Sequence, residues 1–135
     1  MIVLDPCAAC EMARRTEEGL ALWSLLIEEE DVVSCNIMTA ELISIVRKLR
    51  RKGSITPSVA YGLYHKAQAI VDEFYPIEEL QDEVLSESIR LDHSAYDMFY
   101  FVLARRLGAT LFTLDRKLMN LCADNGVNCV DLSDI

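Results

Sequence analysis

SAYDMFYFVLARRLGATLFTLD, residues 94–115, reads as one helix, one tight turn and one buried strand. Ser94 suits a helix N-cap, since its hydroxyl can accept a hydrogen bond from a free N–H of the first turn. Residues 95–107 run almost wholly apolar until Arg105 and Arg106. Gly108 fits the left-handed residue that closes many helices. Residues 110–114 are short, β-branched and apolar, as in a strand covered on both faces. A carboxylate stands at each end of the unit, Asp97 in the first helical turn and Asp115 just after the strand. Asp97 shares a helix face with Phe101 and Ala104, and it is the only charge between Asp92 and Arg105. An acid on a buried face needs a partner, because an unpaired buried carboxylate is costly. The competing role is a capping acid at capping-box spacing from Ser94, favoured by the helix dipole.

Outward from this unit, strands and helices alternate along the chain. Ile2–Leu4 is a short apolar strand ending at Asp5, and Pro6 suits a helix start. A helical stretch is expected over 8–15. A second helix follows the Thr16 cap, with Leu20, Trp23, Leu26 and Ile27 as its buried stripe and residues 28–31 as its acidic end. Residues 32–35 read as the second strand. Thr39 opens a helix with the stripe Met38, Leu42, Ile45, Val46 and Leu49, stopped at Gly53. Thr56-Pro57 begins another. Residues 74–77 read as a third strand, and 79–91 as a helix with Leu80, Val84, Leu85 and Ile89 inward. After the 94–115 unit, a helix over 116–124 stops at Asn125-Gly126, and 127–130 read as the last strand. The pattern predicts an α/β fold, three layers α/β/α around a central, mainly parallel five-stranded sheet, as a single domain over 1–135.

With 135 residues, 52% hydrophobic and 26% charged, the composition is that of an ordinary globule with one core. The opening MIVLD places an acid where a secretory signal wants basic residues, and the apolar runs are too short to span a bilayer. A cytoplasmic protein with no membrane partner is expected. Five scattered cysteines speak against a disulfide scaffold. The net charge of −9 would argue against nucleic acid, were it not that acids gathered at a metal site are neutralised when the metal binds.

Sites in open α/β sheets form outside the carboxyl ends of the strands. Asp5 follows the first strand, Asp115 follows the strand of the 94–115 unit, and Asp97 begins the helix leading into it. Glu41, beside the stripe of a helix that starts at a strand's carboxyl end, is a fourth candidate. Each has an ordinary alternative as a cap or turn acid. Four on one edge would repel one another and take up protons unless a cation sat between them. Such hard oxygen ligands suit Mg²⁺ or Mn²⁺, not zinc.

The whole chain resembles the PIN-domain nucleases of the VapC toxin type. The opening IVLD, the helix start TAEL, the segment SAYDMFYFVLARRLGATLFTLDRKL and the length carry the resemblance. It implies a Mg²⁺- or Mn²⁺-dependent endoribonuclease, the toxin of a toxin–antitoxin pair. It assigns Asp5, Glu41, Asp97 and Asp115 to the metal-binding catalytic cluster, and Thr113 to its support. Cys7 stands where the family commonly has serine, and a thiol is the poorer donor. A homodimer blocked by a small antitoxin is implied on the same ground, with Tyr61, Tyr64, Tyr96 and Tyr100 as candidates for either contact or for the core. Substrate phosphate needs positive charge: Arg116 is the candidate beside the acids, and Arg47, Lys48, Arg50, Arg51 and Lys52 form a basic run. His65 and His93 read as surface or packing residues.

Three other readings and one binding role compete. Cys7-Ala-Ala-Cys10 at a strand-to-helix junction has the form of a redox motif, but lacks the usual Trp and Pro and leaves the acids unexplained. Cys35, Cys122 and Cys129 supply no second close pair for structural zinc. A phospho-receiver would want paired acids after the first strand and a lysine after the last. The serious alternative is a catalytically inactive PIN-like module that dimerises and binds a partner protein.

Overall fold

Four short runs of β-branched and apolar residues become strands, and all pair in parallel. The computed structural model describes residues 1–27 and 29–132. Its sheet holds Ile2–Leu4 (β1), Val32–Cys35 (β2), Glu73–Tyr75 (β3) and Thr110–Phe112 (β4), in the order β3-β2-β1-β4. Val3 pairs with Val33 on one side and with Leu111 on the other. β1 and β2 are buried throughout, which explains why they read as apolar runs and do not alternate. The chain builds outward from β1 to β3 and then returns to lay β4 on the other side of β1. The direction therefore reverses between β1 and β4, and a crevice opens at their carboxyl ends.

The helices are Pro6–Arg14 (α1), Glu17–Leu25 (α2), Ile37–Arg51 (α3), Pro57–Ala69 (α4), Gln81–Leu91 (α5), Ala95–Leu107 (α6) and Arg116–Asp124 (α7), with one 3-10 turn at Ile77–Glu79. They form two groups flanking the sheet. α1 packs on α2, α3 and α4, while α6 lies across β1, β2 and β4 with α5 and α7 beside it. Met98, Phe101 and Val102 of α6 are fully buried, each contributing about 1.5–3 kcal/mol of apolar burial. α2 can approach the end of α1 because residue 19 is glycine: a Cβ there would overlap the Glu11 carbonyl. Gly108 closes α6 at φ 61°, the left-handed conformation its sequence position suggests. Among the described residues no helix is long and apolar enough to cross a membrane.

The structure corrects the expected pattern at several points. Among the described residues the sheet has four strands, not five. Over 127–130 only Cys129 bridges, in parallel, to Leu111, through hydrogen bonds from Leu111 N–H to the Asn128 carbonyl and from Val130 N–H to the Leu111 carbonyl. Val127 and Val130 are buried without a longer ladder, so apolar burial there does not require one. β4 stops at Phe112 because the Thr113 hydroxyl accepts from Asp115 N–H at 3.1 Å, turning the chain. α2 ends at Leu25. It buries Leu22, and Leu20 and Ile27 are exposed. Glu28, expected at the acidic end of that helix, lies outside the described residues. Leu85 and Ile89 of α5 are also exposed, at 62% and 73%, because α5 is an outer helix that packs mainly on α6 and buries only a narrow stripe.

Candidate active site

The crevice between β1 and β4 gathers side chains from four elements. Asp5 follows β1 directly and is the N-cap of α1, its Oδ1 accepting from Ala8 N–H at 2.8 Å, with Pro6 at the first helical position. The sequence places an acid where the chain must leave the sheet, and capping fixes its direction. The residue is 5% exposed. Burial pushes its carboxyl up to about 7, against hydrogen bonds from the Thr113 hydroxyl and Ala8 N–H; the charges of Asp97 and Glu41 raise it further.

Glu41 reaches the same place from the first part of α3. It is half-buried, and the Tyr100 hydroxyl donates to its Oε1 at 2.9 Å. Burial raises its carboxyl, the Tyr100 bond lowers it, and Asp97 raises it. Asp97, in the first turn of α6, bonds His93 Nε2 through Oδ2 at 2.8 Å. Thr113 is fully buried beneath the crevice. It links two of the acids, since its hydroxyl bonds Asp5 and its oxygen also receives Asp115 N–H. Asp115 itself is exposed and caps α7, accepting from Lys117 N–H at 2.9 Å and Leu118 N–H at 3.3 Å.

Three expected acids, Asp5, Glu41 and Asp97, therefore share one electrostatic environment, and Asp115 adjoins it through Thr113. Among the described residues none of the four forms an ion pair with arginine or lysine. The donor set is all hard oxygen, the chemistry of Mg²⁺ or Mn²⁺. Burial accounts for most of the rise at Asp5, and the nearby charges of Asp97 and Glu41 add to it. In donor chemistry, three neighbouring carboxylates with no arginine or lysine partner among the described residues fit a divalent cation. Among the described residues, however, no three of the His, Cys, Asp and Glu side chains stand close enough together to enclose one.

Other expected participants fall elsewhere. Cys7 is exposed at the rim, and partial burial, followed by the Asp5 charge, pushes its thiol up to about 12. Cys10 is buried and pushed up to about 11, again by burial first. Neither thiol is poised as a thiolate, which removes the physical basis of the redox reading. Arg116 is exposed and faces Asp131 at 3.8 Å. The run from Arg47 to Lys52 is exposed apart from half-buried Leu49, and among the described residues its five cations form no ion pair. Tyr61 and Tyr96 are exposed, at 72% and 60%, whereas Tyr100 is fully buried.

Sequence reasoning missed two groups. His93 reads as a surface or packing residue, yet it bonds Asp97, and its i,i+4 spacing was the available signal. Tyr100 is a core residue whose hydroxyl serves the site. It lies one turn beyond Asp97, but its partner Glu41 is 59 residues away, and no local pattern reports that.

The comparisons with known proteins agree with this architecture. A family model of the PIN domain matches residues 2–123. No curated protein matches the chain. Among solved structures, PAE2754 from Pyrobaculum aerophilum is 20% identical with a TM-score of 0.67, over 88% of this chain and 84% of that one. VapC20 from Mycobacterium tuberculosis, described as a sarcin-ricin loop cleaving toxin, is 17% identical with a TM-score of 0.66, over 90% and 95%. FitAcB from Neisseria gonorrhoeae is 22% identical with a TM-score of 0.65, over the whole of both chains. At these identities the likeness shows the fold.

Proposed function

The chain belongs to the PIN-domain family, and on that premise we propose that it is a divalent-metal-dependent endoribonuclease, the toxin of a toxin–antitoxin pair. The observation that carries the reading is the acid cluster at the point where the sheet reverses direction: Asp5, pushed up to about 7 chiefly by burial, lies near Glu41 and Asp97, and among the described residues none of them pairs with arginine or lysine. The likeness to VapC20, a toxin that cleaves the sarcin-ricin loop, supports the toxin assignment. A soluble cytoplasmic homodimer held in check by an antitoxin, acting on RNA, belongs to the same reading.

Asp5, Glu41 and Asp97 would hold Mg²⁺ or Mn²⁺, with Asp115 next to them. Such an ion, when bound, would supply Lewis acidity for phosphodiester hydrolysis. The chain's own residues do the rest. Asp5 would have to give up its proton to serve as a ligand. The Ala8 N–H and the Thr113 hydroxyl keep its carboxylate turned into the crevice. Tyr100 holds one oxygen of Glu41, and His93 one oxygen of Asp97. Arg116 and the cations of α3 offer positive charge to an RNA backbone that most of this acidic surface repels.

Cleavage of a defined single-stranded RNA tests this. Wild type is expected to cut with Mg²⁺ or Mn²⁺ and to stop in excess chelator. Cleavage that persists in chelator would overturn the metal mechanism. A folded wild type that binds partner protein and cuts no RNA would favour the inactive binding module.

A further inference from the structure

Tyr100 is a fully buried aromatic at the inner face of α6. Phenylalanine would fill the same space, and a buried hydroxyl is a cost that packing alone does not call for. Here the hydroxyl crosses from α6 to α3 and ends on Glu41 Oε1 at 2.9 Å. The same helix presents Asp97 one turn earlier, so a single rigid element fixes one acid directly and another through a hydrogen bond. Glu41 needs such a hold. It is half-buried, and its side chain has three rotatable bonds, so without a donor its carboxylate can swing away from the crevice. A lysine or arginine could hold it too, but would cancel its charge. A phenol orients the carboxylate and leaves the charge in place.

We propose that Tyr100 is a positioning residue: by holding Oε1 of Glu41 with an uncharged donor, it presents the other carboxylate oxygen to a divalent cation at the crevice. The inference rests on the metal-dependent reading above. It distinguishes Tyr100 from the rest of the α6 core, and it makes Tyr100→Phe a change in metal affinity instead of a change in fold.

The test is a double-mutant cycle read by Mn²⁺ titration calorimetry, using the full chain as wild type, Tyr100→Phe, Glu41→Ala and the double variant. Circular dichroism checks the fold of each. Tyr100→Phe is expected to weaken Mn²⁺ binding about ten- to a hundredfold, in line with loss of one hydrogen bond to a charged group, and to have no further effect once Glu41 is alanine. RNA cleavage by Tyr100→Phe should fall at low Mn²⁺ and recover when Mn²⁺ is raised, which a purely structural defect would not do. Equal losses in both backgrounds, or undiminished binding by Tyr100→Phe, would overturn the proposal while leaving the metal reading intact. A wild type that binds no Mn²⁺ would overturn both.

Discussion

Helix α6 meets carboxylates at both ends and treats them in opposite ways. At its C-terminal end, Arg105 binds Glu83 at 2.8 Å and Glu87 at 3.4 Å, and Arg106 binds Glu83 at 2.6 Å. Arg105 also lies over the Phe101 ring. The Arg105 bond holds Glu83 below the usual carboxylate range, and the Arg90 bond does the same for Glu87. At the N-terminal end, Asp97 faces Glu41 and Asp5, and the donors are a histidine, a tyrosine, a threonine and a backbone N–H. There burial raises Asp5 and Glu41 above that range. Where the fold needs carboxylates for stability, it supplies cations. At the crevice it supplies hydroxyl, backbone and imidazole donors with no arginine or lysine among the described residues, which suits a cation that comes from outside.

The largest expected effect comes from removing charge at the unmatched end. Asp97→Asn should lower metal-dependent RNA cleavage at least a hundredfold, in single-turnover assays, while the circular dichroism spectrum stays that of wild type. Retained cleavage would erase the distinction between the two ends.

The next effect is on stability and has the opposite sign from a usual mutation. Folding raises Asp5 from 3.8 to about 7, so the folded chain binds that proton more tightly than the unfolded one. The resulting contribution is fully present below about pH 4 and is lost as pH rises through about 7. Apo stability should therefore fall over that window, by on the order of a few kcal/mol. Asp5→Asn keeps an oxygen for Ala8 N–H and should raise the apo melting temperature by several degrees at pH 8, with little change at pH 4. A clear drop at pH 8 would show that Asp5 is a structural acid like Glu83.

The smallest effect belongs to the matched end. Glu83→Gln breaks pairs whose side chains remain roughly a third exposed, so solvent screening limits the loss to about 1 kcal/mol or less. Urea titration should show it shrinking in high salt, with RNA cleavage unchanged.

Much of this contrast was legible in the sequence, for reasons that differ by residue. Asp5 and Asp115 each stand where a strand gives way to a helix, and Asp97 opens the helix that leads back into β4, so an alternating chain can bring all three to one edge. The caps at Thr16 and Thr56 and the stop at Gly108 are local signals, and each appears in the structure. What failed was set by packing at a distance. Leu85 and Ile89 are spaced four apart like Leu80 and Val84, but the two pairs lie on opposite sides of α5, and it is the Leu80–Val84 side that is buried. Ser94 sits at the N-cap of α6 without a side-chain cap bond, while His93, one residue earlier, bonds the first-turn acid. Residues 127–130 have the composition of a strand and form one bridge, because the turn at Gly126 brings them beside β4 for a single register position. The Tyr100–Glu41 bond joins two helices far apart in sequence, and only the fold discloses it.

The most direct test counts protons released when Mn²⁺ binds, by calorimetry in buffers of different ionisation enthalpy at pH 6 and pH 8. Because Asp5 holds its proton to about pH 7, wild type should release close to one proton per bound ion at pH 6 and almost none at pH 8, and Asp5→Asn should lose this difference. No binding by wild type, or binding with the same proton count at both pH values, would contradict a cation held by these acids.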